Sequence, residues 1–537
     1  MEKVVDVAPG TTLLEALQKA GIGPRAECGG NGRCGKCRIR VRGNCNPPTL
    51  EERERLSPAE LADGLRLACW VEAHGPVTVE NVSATPDHTP GHTLDASFAG
   101  TVVSRPDDQP AAHDIPVLGL AVDLGSTKIA AYLLDLESGR ILASTGKANP
   151  QSSWGADILS RIAATMTAPT VLTDLREAAL SAINGMATGL CREASEKSAA
   201  PFRTGQIMQC VIVGNTVMQH LVLGLAVQGL GQAPFVPLSS SAVDCSAVEA
   251  GLALHPCARV YLPPTLSGFI GSDHLAALLA ADVPHAVNVS GESRLVVDIG
   301  TNTEISLVVD GAIHTCSTAS GPAFEGAHIS CGMRALPGAI DRIRYQEHGL
   351  VWQSIGNVPP VGICGSGVLD GVAALRRCGA ISRHGTFVRN HPLVRQTENG
   401  PEAVIVPGKE TGHGKDISMT RKDVGNMQLA KAAIRCGLDL LLARVGRSPE
   451  SLDEILVAGA FGTHLNIASA KDIGLFPDLP DERFRQIGNA AGLGACRMLL
   501  SKDARRQVEE ILRRMTHHEL AEDPDFAAAY TRSLELG

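Results

Sequence analysis

The stretch "ECGGNGRCGKCRIRV", residues 27–41, holds three cysteines and four glycines. Cys28, Cys34 and Cys37 form C-x5-C-x2-C, and Cys69, in "RLACWVEA", follows after 31 intervening residues. Four such thiolates suit a small iron–sulfur core or a single zinc ion. The glycines favour iron–sulfur. A backbone that wraps a cluster closely and aims N–H groups at its sulfurs leaves no room for Cβ atoms. Structural zinc usually draws its ligands from two C-x2–4-C knuckles, whereas the fourth cysteine here stands alone. The favoured reading is a [2Fe–2S] cluster on Cys28, Cys34, Cys37 and Cys69, with zinc and accidental spacing as alternatives. Cys45, in "RGNCNPP", reads as a bystander.

A second chemistry starts at Asp123. "VLGLAVDLGSTKIAAYLLD" is an apolar run ending in Asp, then a polar Gly-containing turn, then another apolar run. The same design returns 175 positions later, at Asp298, in "SRLVVDIGTNTEISLVVDG". A carboxylate at a strand end can hold Mg²⁺ or its water. The glycine lets the hairpin approach a phosphate, which hydroxyls and N–H groups then contact. One D-x-G-x-T is weak evidence, but two in matching strand–turn–strand settings suggest a duplicated fold that closes two phosphate hairpins on one nucleotide. No G-x-x-x-x-G-K-[ST] run occurs, which argues against a P-loop NTPase. Further on, "EILVAGAFGTHLN" runs a strand into Gly459-Ala460-Phe461-Gly462, small enough to lie flat against adenosine. "GNAAGLGACRMLL", 488–500, reads as a closely packed helix of small residues.

These residues need elements to position them. "KVVDVAPGTTLLEALQKAGI" predicts a short strand, a turn and an amphipathic helix, with Thr12 and Glu15 spaced as a capping box. "CRIRVRG" alternates like a strand, and the x5 cysteine gap is nearer the adrenodoxin-type spacing than the plant-type x4. Residues 82–116 are rich in Pro, His, Asp and Thr and lack sustained periodicity. They read as a tether or an ordered strap. The expected organisation is 1–81 ferredoxin-like, 82–116 linker, 117–290 and 291–500 two similar α/β halves, and 501–537 a helical tail.

The 537 residues carry a net charge of −9, which argues against nucleic acid as the partner. No apolar run approaches the ~20 residues of a bilayer-spanning helix, and the start lacks a secretory pattern. Fifteen cysteines, mostly single and in apolar surroundings, fit reduced thiols. The expectation is a cytoplasmic protein with no membrane partner.

Taken together, residues 118 to about 500 resemble the ASKHA superfamily of actin-like ATPases and sugar kinases. Asp123–Lys128 and Asp298–Glu304 match its two phosphate motifs, and 458–462 its adenosine motif. With the ferredoxin-like module added, the whole chain resembles the reductive activators of corrinoid proteins. The segments "VIVGNTVMQHLVLG", "ASGPAFEGAHISCGMRALPGAI", "ICGSGVLD" and "DVGNMQLAKAAIRCGL" also look like that family. The implied fold is a β-grasp [2Fe–2S] domain, a linker and a duplicated, ribonuclease-H-like α/β ATPase core. The extra middle domain of some members is expected to be absent or vestigial. A C-terminal four-iron cluster is excluded, because Cys496 is the last cysteine.

The resemblance implies a one-electron reduction of inactive cob(II)alamin on a corrinoid protein to cob(I), coupled to hydrolysis of ATP with Mg²⁺. ATP would act through conformation, with hinge closure altering how the corrinoid protein is gripped. An upstream low-potential donor and, at family level, a homodimer are implied. Asp123 and Asp298 are assigned to Mg²⁺ and water. Gly125, Ser126, Thr127, Lys128, Gly300, Thr301, Asn302 and Thr303 are assigned to phosphates, and Gly459, Ala460, Phe461 and Gly462 to adenosine. Glu304 polarises the attacking water or is simply a surface strand residue. Cys316, Cys331 and Cys364 read as buried thiols, and His328 as a hydrogen-bonded core histidine. The tail's alternating charge reads as a solvated helix face. Two other readings stand beside this one. The first is an ATP-driven electron donor to another low-potential enzyme, as in the 2-hydroxyacyl-CoA dehydratase activators. The second is a redox-sensing module that binds nucleotide without turnover.

Overall fold

The computed structural model describes residues 2–5, 7, 11–19, 24, 26, 30, 32, 35–80, 116–155, 157–198, 201–288, 291–347, 349–459 and 461–537. Cys28, Cys34, Ala460 and nearly all of the 82–116 linker lie outside them.

In the N-terminal module, strands β1 (Glu2–Val5), β2 (Arg38–Cys45), β3 (Leu65–Leu67) and β4 (Ala73–Glu80) form one antiparallel sheet in the order β1-β4-β2-β3. Helix Leu13–Lys19 starts at the anticipated capping box. Thr12 N–H donates to Glu15 Oε2 at 3.1 Å, and Glu15 N–H to Thr12 Oγ1 at 3.3 Å. Its Leu13, Leu14 and Leu17 are buried with Ile39, Leu67, Val71 and Val77.

A buried ion pair locks the connection from β2 to β3. Arg66 grips Glu52 through Nε (2.9 Å) and Nη2 (2.7 Å), and Leu67 N–H donates to Glu52 Oε1 at 2.9 Å. Burial pushes the Glu52 carboxyl up, but the Arg66 hydrogen bond and the Leu67 and Thr49 N–H groups outweigh it and hold it below its ordinary value. The folded value lies below the unfolded one. The pair's contribution is therefore complete above the usual carboxylate range and fades as pH falls through the lowered folded value. Glu52→Gln leaves the guanidinium buried without its countercharge, an expected cost of about 3–5 kcal/mol. The check is the thermal transition of this module, which should move to lower temperature.

Strands β5 (Leu118–Leu124), β6 (Lys128–Asp135), β7 (Ile141–Ala148), β8 (Ile207–Gly214), β9 (Val243–Ser246) and β10 (Arg259–Leu262) build a six-stranded sheet ordered β7-β6-β5-β8-β10-β9. β5 to β7 form an antiparallel meander, and β5 runs parallel to β8. β5 is central in the sheet and apolar but for Asp123, the one residue of the strand that is not buried. Helix Thr170–Ser198 contributes Leu175, Ala179, Ile183 and Met186 to the same core.

A second six-stranded sheet repeats the plan. Strands β11 (Arg294–Ile299), β12 (Thr303–Val309) and β13 (Ala312–Thr318) form the meander. Between β13 and the next strand of this sheet come β14 (Ala339–Gln346), β15 (Gly349–Ser354), β16 (Gly362–Ile363), β17 (Val394–Thr397), β18 (Gly400–Val406) and β19 (Ile417–Thr420), paired as two small three-stranded sheets. β20 (Glu454–Ala458) and β21 (Phe484–Gly488) then complete the order β21-β20-β11-β12-β13-β22 with β22 (Met515–His517). As in the first sheet, β11 runs parallel to the strand on its far side, β20.

The chain separates into two compact units: residues 1–273 with 495–505, and residues 274–494 with 506–537. The tail does more than present a charged helix to solvent. Helix Lys502–Arg514 buries Ala504, Val508 and Ile511, and β22 adds a strand in parallel register with β13. The small-residue helix Ala490–Leu500 is as closely packed as expected. A Cβ on Gly494 would lie 2.0 Å from the Ala276 carbonyl oxygen.

Candidate functional site

Two of the four predicted cluster cysteines are described, and they meet. β2 pairs with β3 in a register that sets Arg38 opposite Leu67, and Ala68 N–H donates to the Cys37 carbonyl at 2.8 Å. The Cys37 and Cys69 sulfurs end 3.4 Å apart, both buried and neither in a disulfide. Hydrogen bonding to Cys69 is the main cause that lowers the Cys37 thiol to about 7, against the effect of burial. The loop glycines behave as close wrapping requires. Gly30, Gly32 and Gly35 all have left-handed backbones, and a Cβ on Gly32 would sit 2.5 Å from the Trp70 ring. A close sulfur pair in which the Cys37 thiol is lowered, beside a glycine whose Cβ the Trp70 ring excludes, fits an iron–sulfur centre. Cys45 is elsewhere, at the end of β2, with Arg66 Nη1 3.6 Å from its sulfur.

The first Asp-Gly hairpin joins β5 to β6, with Asp123 opposite Ala130 and Leu124 opposite Ile129. Its glycine is required, since a Cβ on Gly125 would lie 2.6 Å from the Lys128 carbonyl oxygen. The turn is held from one side by the segment after β7. Asn149 donates its side chain to the Gly125 carbonyl (2.8 Å) and its N–H to that of Thr127 (2.9 Å), and Arg161 donates to that of Ser126. Neither Asn149 nor Arg161 is visible as a candidate in the sequence, because each meets the turn through a contact distant along the chain.

In the second hairpin the β11/β12 register puts Asp298 directly opposite Glu304, while β20 sets Ala458 beside Asp298 on the other side. Directly opposed residues share a face with Cβ atoms about 5 Å apart, so two carboxylates stand side by side on one edge of the sheet. Gly459 follows immediately with a left-handed backbone (φ 91°). A Cβ there would lie 2.4 Å from the Ile299 carbonyl and 3.0 Å from Asp298 Oδ1. The adenosine-type segment therefore begins against the second phosphate-type strand.

Thr301 and Thr303 differ in what their hydroxyls do. Thr303 is buried with its hydroxyl 2.8 Å from Ser320, so it shapes the hairpin from inside. Thr301 Oγ1 donates to Glu325 at 2.6 Å, and its carbonyl accepts from Gly321 N–H at 2.9 Å. Gly300 backs onto its own turn, where a Cβ would lie 2.9 Å from the Asn302 carbonyl oxygen. The loop 320–333 that supplies Ser320 and Glu325 is strapped to helix Arg421–Arg444. Asp423 accepts from Ser330 N–H at 2.8 Å, and Asn426 donates to the His328 carbonyl at 2.7 Å. The strap turns His328 outward, so it is an exposed residue with a left-handed backbone and not the core histidine expected. Phe461 packs on Phe324 of this loop, ring centres 4.8 Å apart, and Gly462 is buried with its carbonyl held by Gln486. Cys316 and Cys364 are buried and Cys331 is half-buried. Burial raises all three thiols, as expected of inert cysteines.

Among the described residues no helix is long and apolar enough to cross a membrane, and no group of three His, Cys, Asp or Glu could hold a metal.

Comparison with known proteins agrees over the whole length. A model of the 2Fe-2S iron-sulfur cluster binding domain matches residues 1–74, one of the RACo middle region matches 118–286, and one of the C-terminal ASKHA domain of RACo matches 292–537. The middle-region model covers the residues of the first six-stranded sheet. The corrinoid activation enzyme RamQ of Eubacterium limosum is 32% identical over 593 aligned positions, spanning 100% of this chain and 98% of its own. The Co(II) methylated amine-specific corrinoid protein reductase of Methanosarcina barkeri is 29% identical over 48% of this chain and 47% of its own. A solved structure of a reductive activator for corrinoid, iron-sulfur protein superposes with a TM-score of 0.71 at 31% identity, covering 99% of this chain and 96% of that one. The chain belongs to the family of reductive activators of corrinoid proteins.

Proposed function

We propose that this protein is an ATP-dependent reductive activator, which returns one electron to an inactive cob(II)alamin corrinoid protein and restores cob(I)alamin for methyl transfer. The observation that carries this reading is the pairing of two chemistries in one chain of that family. One is the buried Cys37–Cys69 sulfur pair; the other is the Asp298–Glu304 carboxylate pair abutting Gly459.

A bound [2Fe–2S] cluster supplies the single-electron step. Cys37 and Cys69, with Cys28 and Cys34, would hold its iron, with Gly32 packed against the Trp70 ring next to Cys69. Asp123 and Asp298 anchor Mg²⁺ or its water. One or two carboxylates are enough for an ion that keeps most of its ligands as water and phosphate oxygens. Glu304 orients the attacking water. Ser126, Thr127 and Lys128 in one hairpin, and Thr301 and Asn302 in the other, take phosphate oxygens. Thr303 acts through the shape of its turn. Gly459 to Gly462 lie along adenosine. ATP becomes ADP and phosphate, and cobalt gains one electron. An upstream low-potential donor, a cytoplasmic setting and a homodimer belong to the same proposal.

The test combines purified holoprotein, a chemical reductant, Mg-ATP and a cob(II)-loaded corrinoid protein of a methyltransferase system, followed by visible absorbance. The cob(I) band should grow only when both reductant and ATP are present. No cob(I) with any carrier of this class would overturn the reading.

A further inference from the structure

Arg161, in helix Ile158–Thr165, is fully buried, with 0% of its surface exposed. Its guanidinium meets neutral groups. Nε donates to the Gly155 carbonyl at 2.9 Å, Nη1 to Gln151 Oε1 at 3.5 Å, and Nη2 to the Ser126 carbonyl; Met218 Sδ lies 3.3 Å from Nη1. Among the described residues none of its hydrogen bonds goes to a carboxylate. Asp157, which caps this helix, spends its oxygens on Ser160 N–H (2.7 Å) and Ser160 Oγ (2.9 Å) and reaches Arg161 only as a distant charge. Burial pulls the guanidinium down to about 10, well above neutral pH, so the cation persists.

A desolvated cation with no carboxylate hydrogen-bonded to it is costly, and this one stands directly behind the first phosphate-type turn. With Asn149 it ties back three successive carbonyls, those of Gly125, Ser126 and Thr127. In a trans peptide the N–H points opposite the carbonyl. Tying back the Gly125 and Ser126 carbonyls therefore turns the N–H groups of Ser126 and Thr127 to the other side of the turn.

We propose that Arg161 is a positioning residue of the nucleotide site: a buried, fixed positive charge that holds the phosphate-1 turn by its Ser126 carbonyl and finds its countercharge in the polyphosphate bound across that turn. This rests on the nucleotide reading above and adds to it a source of charge that no surface lysine supplies. The low-dielectric surroundings of a fully buried guanidinium strengthen the attraction.

The experiment compares the binding of ATP and of adenosine by calorimetry in the parent, Arg161→Gln, Arg161→Met and Arg161→Lys. In the Gln and Met variants ATP affinity should fall at least about tenfold, while adenosine affinity stays within about twofold. Arg161→Lys, which keeps the charge, should hold the ATP-to-adenosine affinity ratio within about threefold of the parent. A parent that does not bind ATP refutes the nucleotide reading itself. With a parent that binds, the Arg161 inference is overturned if Arg161→Gln or Arg161→Met binds ATP like the parent, or loses ATP and adenosine equally. Should neither of those two variants fold, a collapse of the ratio in Arg161→Lys overturns it.

Discussion

Replacing Cys69 with serine should abolish the rhombic EPR signal of the reduced protein, bleach its visible absorbance and lower cob(II) reduction more than about 100-fold. Cys69 sits in the short turn Ala68–Trp70 that closes β3, and its position depends on little else than sheet register. That register brings it within 3.4 Å of the Cys37 sulfur. Two thiolates on one tetrahedral iron, each about 2.3 Å from the metal, stand roughly 3.8 Å apart, so the thiol pair needs only a small shift to share an iron. A serine oxygen at this place is a harder, less suited ligand than a thiolate. Undiminished EPR intensity in Cys69→Ser would show that the fourth ligand comes from another residue. Zinc by elemental analysis of the parent would overturn the iron–sulfur assignment altogether.

The second large effect is expected from Asp298→Ala. On the proposed reading, removing this carboxylate at the end of β11 takes away a ligand of Mg²⁺ or its water and leaves Glu304, opposite it on β12, without its neighbour. ATP hydrolysis, measured as phosphate release, should fall by about 100-fold or more, the scale of losing a metal-positioning or transition-state electrostatic group. The EPR signal should persist, because the cluster cysteines belong to a separately folded module with its own core. Normal hydrolysis by Asp298→Ala would remove Asp298 from the site. Loss of both hydrolysis and the cluster signal would show that the substitution had damaged the whole chain.

The candidate chemistry is largely legible in the sequence because it is local. The cysteine and glycine spacing of residues 28–37 and the Asp-x-Gly turns at 123 and 298 stand out within a few residues. The capping box at Thr12 and the alternation of β2 are equally local, and both appear in the structure as expected. What the sequence conceals is whatever depends on distant partners. Arg161 looks like any helix arginine until the fold buries it behind Ser126. Thr303 looks like a phosphate ligand until Ser320 takes its hydroxyl. His328 lies in an apolar-looking segment, yet the strap to Asp423 and Asn426 leaves it exposed. The helical tail hides a strand, because a three-residue edge strand has no periodicity to detect and forms only against β13.

The sequence by itself determined which candidate chemistries this protein offers: closely spaced sulfurs suited to an iron–sulfur cluster, and Asp-tipped hairpins of a phosphate-binding type repeated in two similar halves. Residue type and short spacing set these, since ligand donors and tight turns are properties of a few neighbouring residues. Tertiary structure alone decided which groups meet. Sheet register set Cys37 against Cys69, Asp298 against Glu304 and Ala458 beside Asp298. A one-residue slip in any of these strands would turn the same side chains to the opposite face. Burial decided the rest, making Arg161 a fixed charge and Cys316 an inert thiol, because a group's environment is built by parts of the chain that no local pattern can name.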